Sequence, residues 1–393
     1  MKRMLRLAAL LLLAGLLGGC GVGGGAGSAE GLPVSLFAVN VGKGDALLLK
    51  VGDWVGLVDA GKAKAMGRVR TALDRLGVDR LDAVFLTHTD GDHAEGLEWL
   101  AASDIGVDAW YASAMYTGVK AKKHPAVKAA AARGQEAQWL QAGDALDIGD
   151  GAILRVLAPV SFYDDKDDNN SLVMLLESGQ GRILLAGDME LPEEAELLSL
   201  GVDLSCDVLK VPNHGDDDTT SAAFAAAASA QLAVISTDSQ EKPGTPDAGV
   251  VSRLMAAGSR VIVTQDAGLG LLVTLADGTA TAEALDIDAA PVDGVYIAEV
   301  DADDDRIVLS STAGGAVDLG GFYLYSDRGE ELFAFPAGTS LEAGGTLTVG
   351  TRSTDGSCDL LWDDKKVVHA KKTDVITLYD PYGRPVSSRD NGR

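Results

Sequence analysis

The densest chemistry in this 393-residue chain lies in Thr87-His88-Thr89-Asp90-Gly91-Asp92-His93. An imidazole offers a neutral nitrogen and an aspartate a carboxylate oxygen, so His88-x-Asp90-x-Asp92-His93 can aim two ligands at one divalent ion and two at a neighbour. The chain has five histidines, and two of them fall in this motif, which points to a site more than to chance. The competing reading is a polar, Asx-rich loop that caps a helix starting near His93.

Ligands need a platform. The apolar run at 81–86 reads as a buried strand that ends where the ligands begin. The pattern recurs twice. Gly181-Arg182-Ile183-Leu184-Leu185-Ala186-Gly187-Asp188 delivers an acid at a strand end, and Leu209-Lys210-Val211-Pro212-Asn213-His214-Gly215 delivers a histidine. Strand ends far apart in sequence, each bearing a ligand type, are what a metal site at one edge of a sheet requires.

Around these runs the pattern predicts strands at 36–41, 45–51 and 54–58, joined by Gly42-Lys43-Gly44 and Gly52-Asp53 turns, which make a meander. Lys43 and Lys210 are candidate anion contacts. A helix is predicted over 66–76, ending at Gly77, with alternating strands and helices from 97 to 141. Lys120, Lys122, Lys123, Lys128 and Arg133 gather in one Ala-rich helical stretch, as a solvated face or as a guide for an anionic substrate. The insert 163–171 is a loop near the site or an acidic turn. Further strands at 153–157, 172–176, 232–236, 261–263, 269–275 and 279–285 complete this unit, with helices at 221–230 and ending at Gly258. After a linker at 286–294, strands every ten residues or so with Gly, Asp and Pro turns predict a small all-β sandwich over 295–393.

Composition sets bounds. Hydrophobic residues at 47% and charged ones at 23% are ordinary for a globular protein. Lys2, Arg3 and Arg6 precede an apolar stretch too short to span a bilayer, the pattern of an export signal over 1–19. Leu17-Gly18-Gly19-Cys20 resembles a bacterial lipobox, which implies a lipidated Cys20 on a Gly-rich tether, 20–31, and an extracytoplasmic protein anchored to a bacterial membrane. Losing the three cations of the signal leaves 30 Lys and Arg against 58 Asp and Glu, a net charge of −28. So acidic a protein is repelled by polyanions at long range, which counts against tight nonspecific nucleic-acid binding. Cys206 and Cys358 are no disulfide framework, and separate buried thiols are expected.

With these motifs in hand, 32–285 resembles the metallo-β-lactamase superfamily, and within it the hydrolase domain of ComEC-type competence proteins of DNA uptake. Val39-Asn40-Val41-Gly42-Lys43-Gly44-Asp45-Ala46, Val58-Asp59-Ala60-Gly61, the His88 to His93 motif, Asn169-Asn170-Ser171-Leu172, Leu185-Ala186-Gly187-Asp188 and Lys210-Val211-Pro212-Asn213-His214-Gly215 carry the likeness in order. It implies an α/β (α+β) fold, the four-layer αββα sandwich. It also implies that Asp92, His93 and His214 hold one metal, His88 and Asp90 a second, with Asp188 bridging. Asp92, His93 and Asp188 would be catalytic. Asn170-Ser171 stands where fuller sites have a histidine, which makes Asn170 the candidate substitute, and Thr245 stands where relatives commonly have one. The acid-rich set suits Mn²⁺ as well as Zn²⁺. Residues 295–393 resemble a lamin-tail domain, an immunoglobulin-like sandwich, through Val295 to Val300, Val317 to Leu324, Phe335 to Thr339 and Leu378 to Gly383, with an unknown ligand.

The chemistry implied is metal-assisted hydrolysis of a phosphodiester, DNA foremost, by an exported, lipid-anchored nuclease. The residues supply metal and water, and the resemblance supplies DNA. The alternatives are a metallohydrolase of an ester, amide or cell-envelope substrate, and a non-catalytic surface binding protein with a degraded metal site.

Overall fold

Along the first strand, Val34–Val39, apolar side chains cover both faces, so both need a covering layer. Leu36 and Ala38 pack into a cluster shared with Leu154, Met174, Ile183 and Val234 of a second sheet. Phe37 and Val39 pack instead with Val69, Leu73, Leu97 and Ala129, which lie on helices. Across the second sheet, Leu175, Leu184, Leu209 and Ala233 meet Leu197, Phe224 and Leu254 of three further helices. Helix, sheet, sheet, helix is therefore the layer order, and each fully buried Leu or Phe contributes roughly 1.5–3 kcal/mol.

The computed structural model describes residues 33–116, 118–163 and 167–393; the export signal, tether, Cys20 and the side chain of Lys120 lie outside the described residues. The first sheet has eight strands in the order Thr279–Leu285, Gly270–Ala276, Val34–Val39, Leu47–Val51, Trp54–Val58, Ala83–Leu86, Trp110–Ser113, Ala137–Leu140. Its first five strands pair antiparallel, and from Trp54–Val58 onward the pairs are parallel. The second sheet runs Arg260–Val263, Leu232–Ile235, Val208–Lys210, Gly181–Leu185, Val173–Ser178, Ile153–Ala158, Ala145–Asp147, its first four strands parallel and the rest antiparallel. Parallel neighbours need crossovers, supplied by helices Met66–Leu76, Gly96–Ala102 and Pro125–Ala132 on one side and Leu191–Ser199, Ala222–Ala228 and Ala248–Ala256 on the other.

The predicted strand at 81–86 divides. Arg80–Leu81 pairs with Gly106–Val107, and Ala83–Leu86 enters the main sheet. Asp82 is where the run breaks, its carboxylate accepting a 2.7 Å bond from Val55 N. The predicted helix over 66–76 has those ends, stopped by Gly77 at φ 67°.

The C-terminal region is all β. One four-stranded sheet runs Val295–Asp301, Arg306–Ser311, Thr346–Gly350, Leu360–Leu361, and another Leu332–Ala334, Tyr323–Ser326, Val375–Tyr379, Pro385–Asp390, around a core of Ile297, Leu309, Leu324, Val349 and Leu378. It packs on the N-terminal layers. The buried Tyr323 hydroxyl donates to Lys64 O at 2.6 Å, and Arg68 Nε donates to Gly383 O at 3.3 Å. The 286–294 segment, expected as a linker, is tied down by Arg384, whose guanidinium donates to Ala289 O and Ala290 O at 2.8 and 2.9 Å. Among the described residues Cys206, in the N-terminal layers, is a buried free thiol as expected, whereas Cys358, in the C-terminal region, is a free thiol only half-buried. Among the described residues no helix is long and apolar enough to cross a membrane.

Candidate metal centre

Parallel strands end in the same direction, and their C-terminal ends are where open α/β sheets place sites. From the first sheet Trp54–Val58 is followed by Asp59, and Ala83–Leu86 by Thr87, His88, Asp90, Asp92 and His93. From the second, Gly181–Leu185 delivers Asp188, Val208–Lys210 delivers His214, and Leu232–Ile235 delivers Ser236. Backbone bonds stitch these ends together: Ala60 N to His93 O at 2.8 Å, Leu172 N to Thr87 O at 3.0 Å and Asn213 N to Gly187 O at 3.2 Å. Asp45 N donates to Asp92 O at 3.2 Å. That approach needs Gly44, where a Cβ would lie 2.4 Å from Asp92 O.

Three buried imidazoles converge. His93 Nε2 lies 3.1 Å from His214 Nε2 and 3.2 Å from Asp188 Oδ2, and His214 Nε2 lies 2.9 Å from that same oxygen. His88 Nε2 is 3.9 Å from it. Each ring is aimed by its other nitrogen. His93 Nδ1 donates to Asp59 at 2.8 Å and His214 Nδ1 to Ser236 O at 2.8 Å; both partners only accept, so both protons sit on Nδ1. Thr87 Oγ1 spends its hydrogen on Asp59 Oδ2 at 2.8 Å, so it can only accept from His88 Nδ1 at 3.0 Å. With Nδ1 engaged in each ring, all three Nε2 atoms face inward, where the neutral rings would offer lone pairs. Backbone strain concentrates here too, with Asp59, Asn213 and His214 at φ 58°, 40° and 53°.

Carboxylates dominate the electrostatics of the centre. Burial disfavours charge on His93, yet the Asp188 and Asp59 carboxylates outweigh it and hold the His93 pKa well above the ordinary imidazole value. Burial likewise opposes the Asp188 charge, but His214 and His93 draw its pKa well below the carboxylate range. Asp92 falls to about 2 against its own burial, through His93, His214 and Lys43. His88 is pushed down by burial and then by His93.

Residue types and spacings fit a divalent ion. Two nitrogens each about 2.0–2.1 Å from one ion at a tetrahedral angle stand about 3.3 Å apart, close to the separation of the two Nε2 atoms. Buried His88 Nε2 and Asp188 Oδ1 have no hydrogen-bond partner, which is the mark of atoms facing a ligand. His93, His214, Asp188 and Asp45 form one ligand-distance group, and His88, Asp90 and Asp168 a second.

The structure brings His93, His214 and Asp188 together, with Asp92 at the edge, 3.6 Å from His214 Nε2 and ion-paired at 2.5 Å with Lys43 Nζ. Asp45 and Asp168 are additions that sequence reasoning missed. Asp45 stood unmarked as a ligand at the start of the predicted strand 45–51, and Asp168 was lost in the acidic run. Asn170, expected as a substitute ligand, exchanges two 2.9 Å bonds with the Tyr163 backbone. Lys210 corrects its expected role: it is fully buried, pairs with Asp45 at 2.7 Å and cannot reach a solvent-borne anion. Arg133 likewise donates to the carbonyls of Leu100, Ala101, Ser103 and Ile105, capping a helix end rather than guiding substrate.

Fold and site together define a metallo-β-lactamase-type domain with a candidate metal centre. Residues 54–234 match the family described as Beta-lactamase superfamily domain, and residues 288–393 match the Lamin Tail Domain. Among curated proteins it is similar to ComE operon protein 3 of Bacillus subtilis (strain 168), 29% identical over 196 residues, covering 49% of this chain and 24% of that protein. It is also similar to Competence protein ComA of Neisseria gonorrhoeae, 27% identical over 244 residues, covering 61% of this chain and 32% of that protein. The chain thus spans about a quarter to a third of the length of these relatives. Among solved structures it is similar to the metallo-beta-lactamase fold protein YhfI of Bacillus subtilis, at 16% identity and TM-score 0.41, covering 62% of this chain and 99% of that one.

Proposed function

We propose that the protein is a metal-dependent hydrolase of phosphodiesters, DNA foremost, anchored outside the cytoplasm through a lipidated Cys20. The observation that carries the hydrolase part is the convergence of three Nδ1-locked imidazoles on Asp188. His93, His214 and Asp188, with Asp92 and Asp45 beside them, would hold a divalent ion, which would supply an activated water near neutral pH and Lewis-acid polarisation. The chain's own part is to orient: Asp59, Thr87 and Ser236 fix the rings, and Lys43, 22% exposed in its side chain, puts a cation at the mouth for a phosphate oxygen. DNA as substrate draws support from the competence relatives, and export from the first 20 residues.

One observation favours a second reading, a substrate without a polyanionic flank. Against Thr89 and Gly91 of the motif loop runs a groove of about 910 Å³, its wall including Leu97 and Ala129, edged by Glu95, Glu98 and Glu330 and, among the described residues, with Lys128 as its one cation. Cleavage of bis-p-nitrophenyl phosphate and single-stranded DNA by the Mn²⁺- or Zn²⁺-loaded protein tests both. Activity on both that is lost in Asp188→Asn supports the nuclease, activity on the small diester alone supports the second reading, and activity on neither in either metal sinks both.

A further inference from the structure

Asp168 sits where the sequence offered only Asn170 as a third ligand for the His88 and Asp90 pair. His88 is fully buried, its Nδ1 is held by Thr87 Oγ1 at 3.0 Å, and its Nε2 has no hydrogen-bond partner. The atoms nearest in charge to that nitrogen are Asp168 Oδ1 at 3.8 Å and Asp188 Oδ2 at 3.9 Å, and a carboxylate oxygen of Asp90 lies within 4.8 Å of the His88 and Asp168 ligand atoms. These separations are too long for hydrogen bonds. The 3.8 and 3.9 Å separations are those of co-ligands, since atoms each about 2.1 Å from one ion stand about 3 to 4.2 Å apart.

The position of Asp168 is built, because both neighbours are pinned. Asp167 accepts from Thr89 N at 2.9 Å, from Thr89 Oγ1 at 2.5 Å and from the Tyr116 hydroxyl, which fastens this turn to the His88 to Asp90 loop. Asn169 donates to Glu190 at 2.8 Å and accepts from Glu190 N at 3.3 Å, which fastens it to the loop of Asp188. Asp168 is thereby delivered between the two loops that carry the other ligands.

On the basis of the metal centre assigned above, we propose that Asp168 completes a second cation position with His88 and Asp90, and that this position takes a hard divalent ion, Mn²⁺ in preference to Zn²⁺. The donor set is the reason. One imidazole and two aspartates, with Asp188 shared, offer mostly carboxylate oxygen, whereas the first position offers two imidazoles. Asp90 is exposed, so the second position faces solvent on one side.

The test uses the full chain, stripped with chelator and titrated with Mn²⁺, with bound metal counted by atomic emission and read by electron paramagnetic resonance. The wild type should bind two equivalents and show a spin-coupled multiline signal. Asp168→Ala should bind one, with affinity at the remaining site within threefold and an isolated six-line signal. Asp168→Asn, which keeps the side-chain shape, should weaken the second equivalent at least tenfold, and Asn170→Ala should still bind two. One equivalent in the wild type, or two undiminished in both Asp168 variants, would overturn the proposal. Two bound ions without diester cleavage would sink the phosphodiesterase reading and leave Asp168 in place; one ion with cleavage would do the reverse.

Discussion

Asp59 accepts the Nδ1 proton of His93 at 2.8 Å, and that one bond decides that Nε2 is the nitrogen facing His214 and Asp188. Asp59 is fully buried and also accepts from Thr87 N and Thr87 Oγ1, both at 2.8 Å, so it aims His88 as well as His93. Asp59→Asn keeps the shape but weakens the acceptor. Affinity for the first divalent ion should fall by about 10- to 100-fold. Competition with a chromophoric chelator measures this, and unchanged affinity would show that the ring orientation does not depend on Asp59.

Lys43 is a rival cation for Asp92. Lys43→Met removes a partly buried pair worth about 1 kcal/mol, so the centre should bind a divalent ion about fivefold more tightly. The same change should raise KM for a diester substrate. Tighter metal binding with unaltered KM would confine Lys43 to a structural role.

Lys210 and Asp45 are both essentially excluded from solvent. Lys210→Met should therefore destabilise the fold by about 3–5 kcal/mol, because it strands a buried carboxylate. Urea denaturation reads this directly. A loss below about 1 kcal/mol would mean the pair is wetter than its burial indicates.

His124 lies buried between Tyr116 and Trp139, and burial, against a weaker opposing pull from Asp167, lowers its pKa from 6.5 to about 4. Its folded pKa is below its unfolded one, so between pH 6.5 and 4 the unfolded chain binds the extra proton. Stability should fall on acidification through that window, by about 3 kcal/mol in all. His124→Phe should flatten that part of the stability profile, and an unchanged acid limb would exclude His124 as its source.

The C-terminal region docks closely on the helix Met66–Leu76. A Cβ at Gly67 would lie 2.5 Å from Gly383 N and 2.9 Å from Pro381 O, both backbone atoms. Gly67→Ala should cost about 1–3 kcal/mol by overpacking, seen as a lower Tm. An unchanged Tm would show that this contact gives way easily.

Much of the fold and part of the site were legible in the sequence, because local rules govern them. Period and punctuation marked Trp54–Val58, Met66–Leu76 and Thr279–Leu285 at their observed ends, and apolar runs that stop at His88, Asp188 and His214 announced strand ends bearing ligands. Those features depend on residues a few positions apart. What the tertiary structure alone decided depends on residues far apart. Lys210 and Lys43 look alike as lysines beside motifs, but only packing of the second sheet against Asp45 buries the first and leaves the second at the mouth. Asp168 is one acid in a run of acids until Asp167 and Asn169 are fastened to two different loops. A ligand is defined by where its atom is held: the contact with Glu190 forms only once the second sheet is assembled, and the one with Thr89 only when the two sheets close on each other.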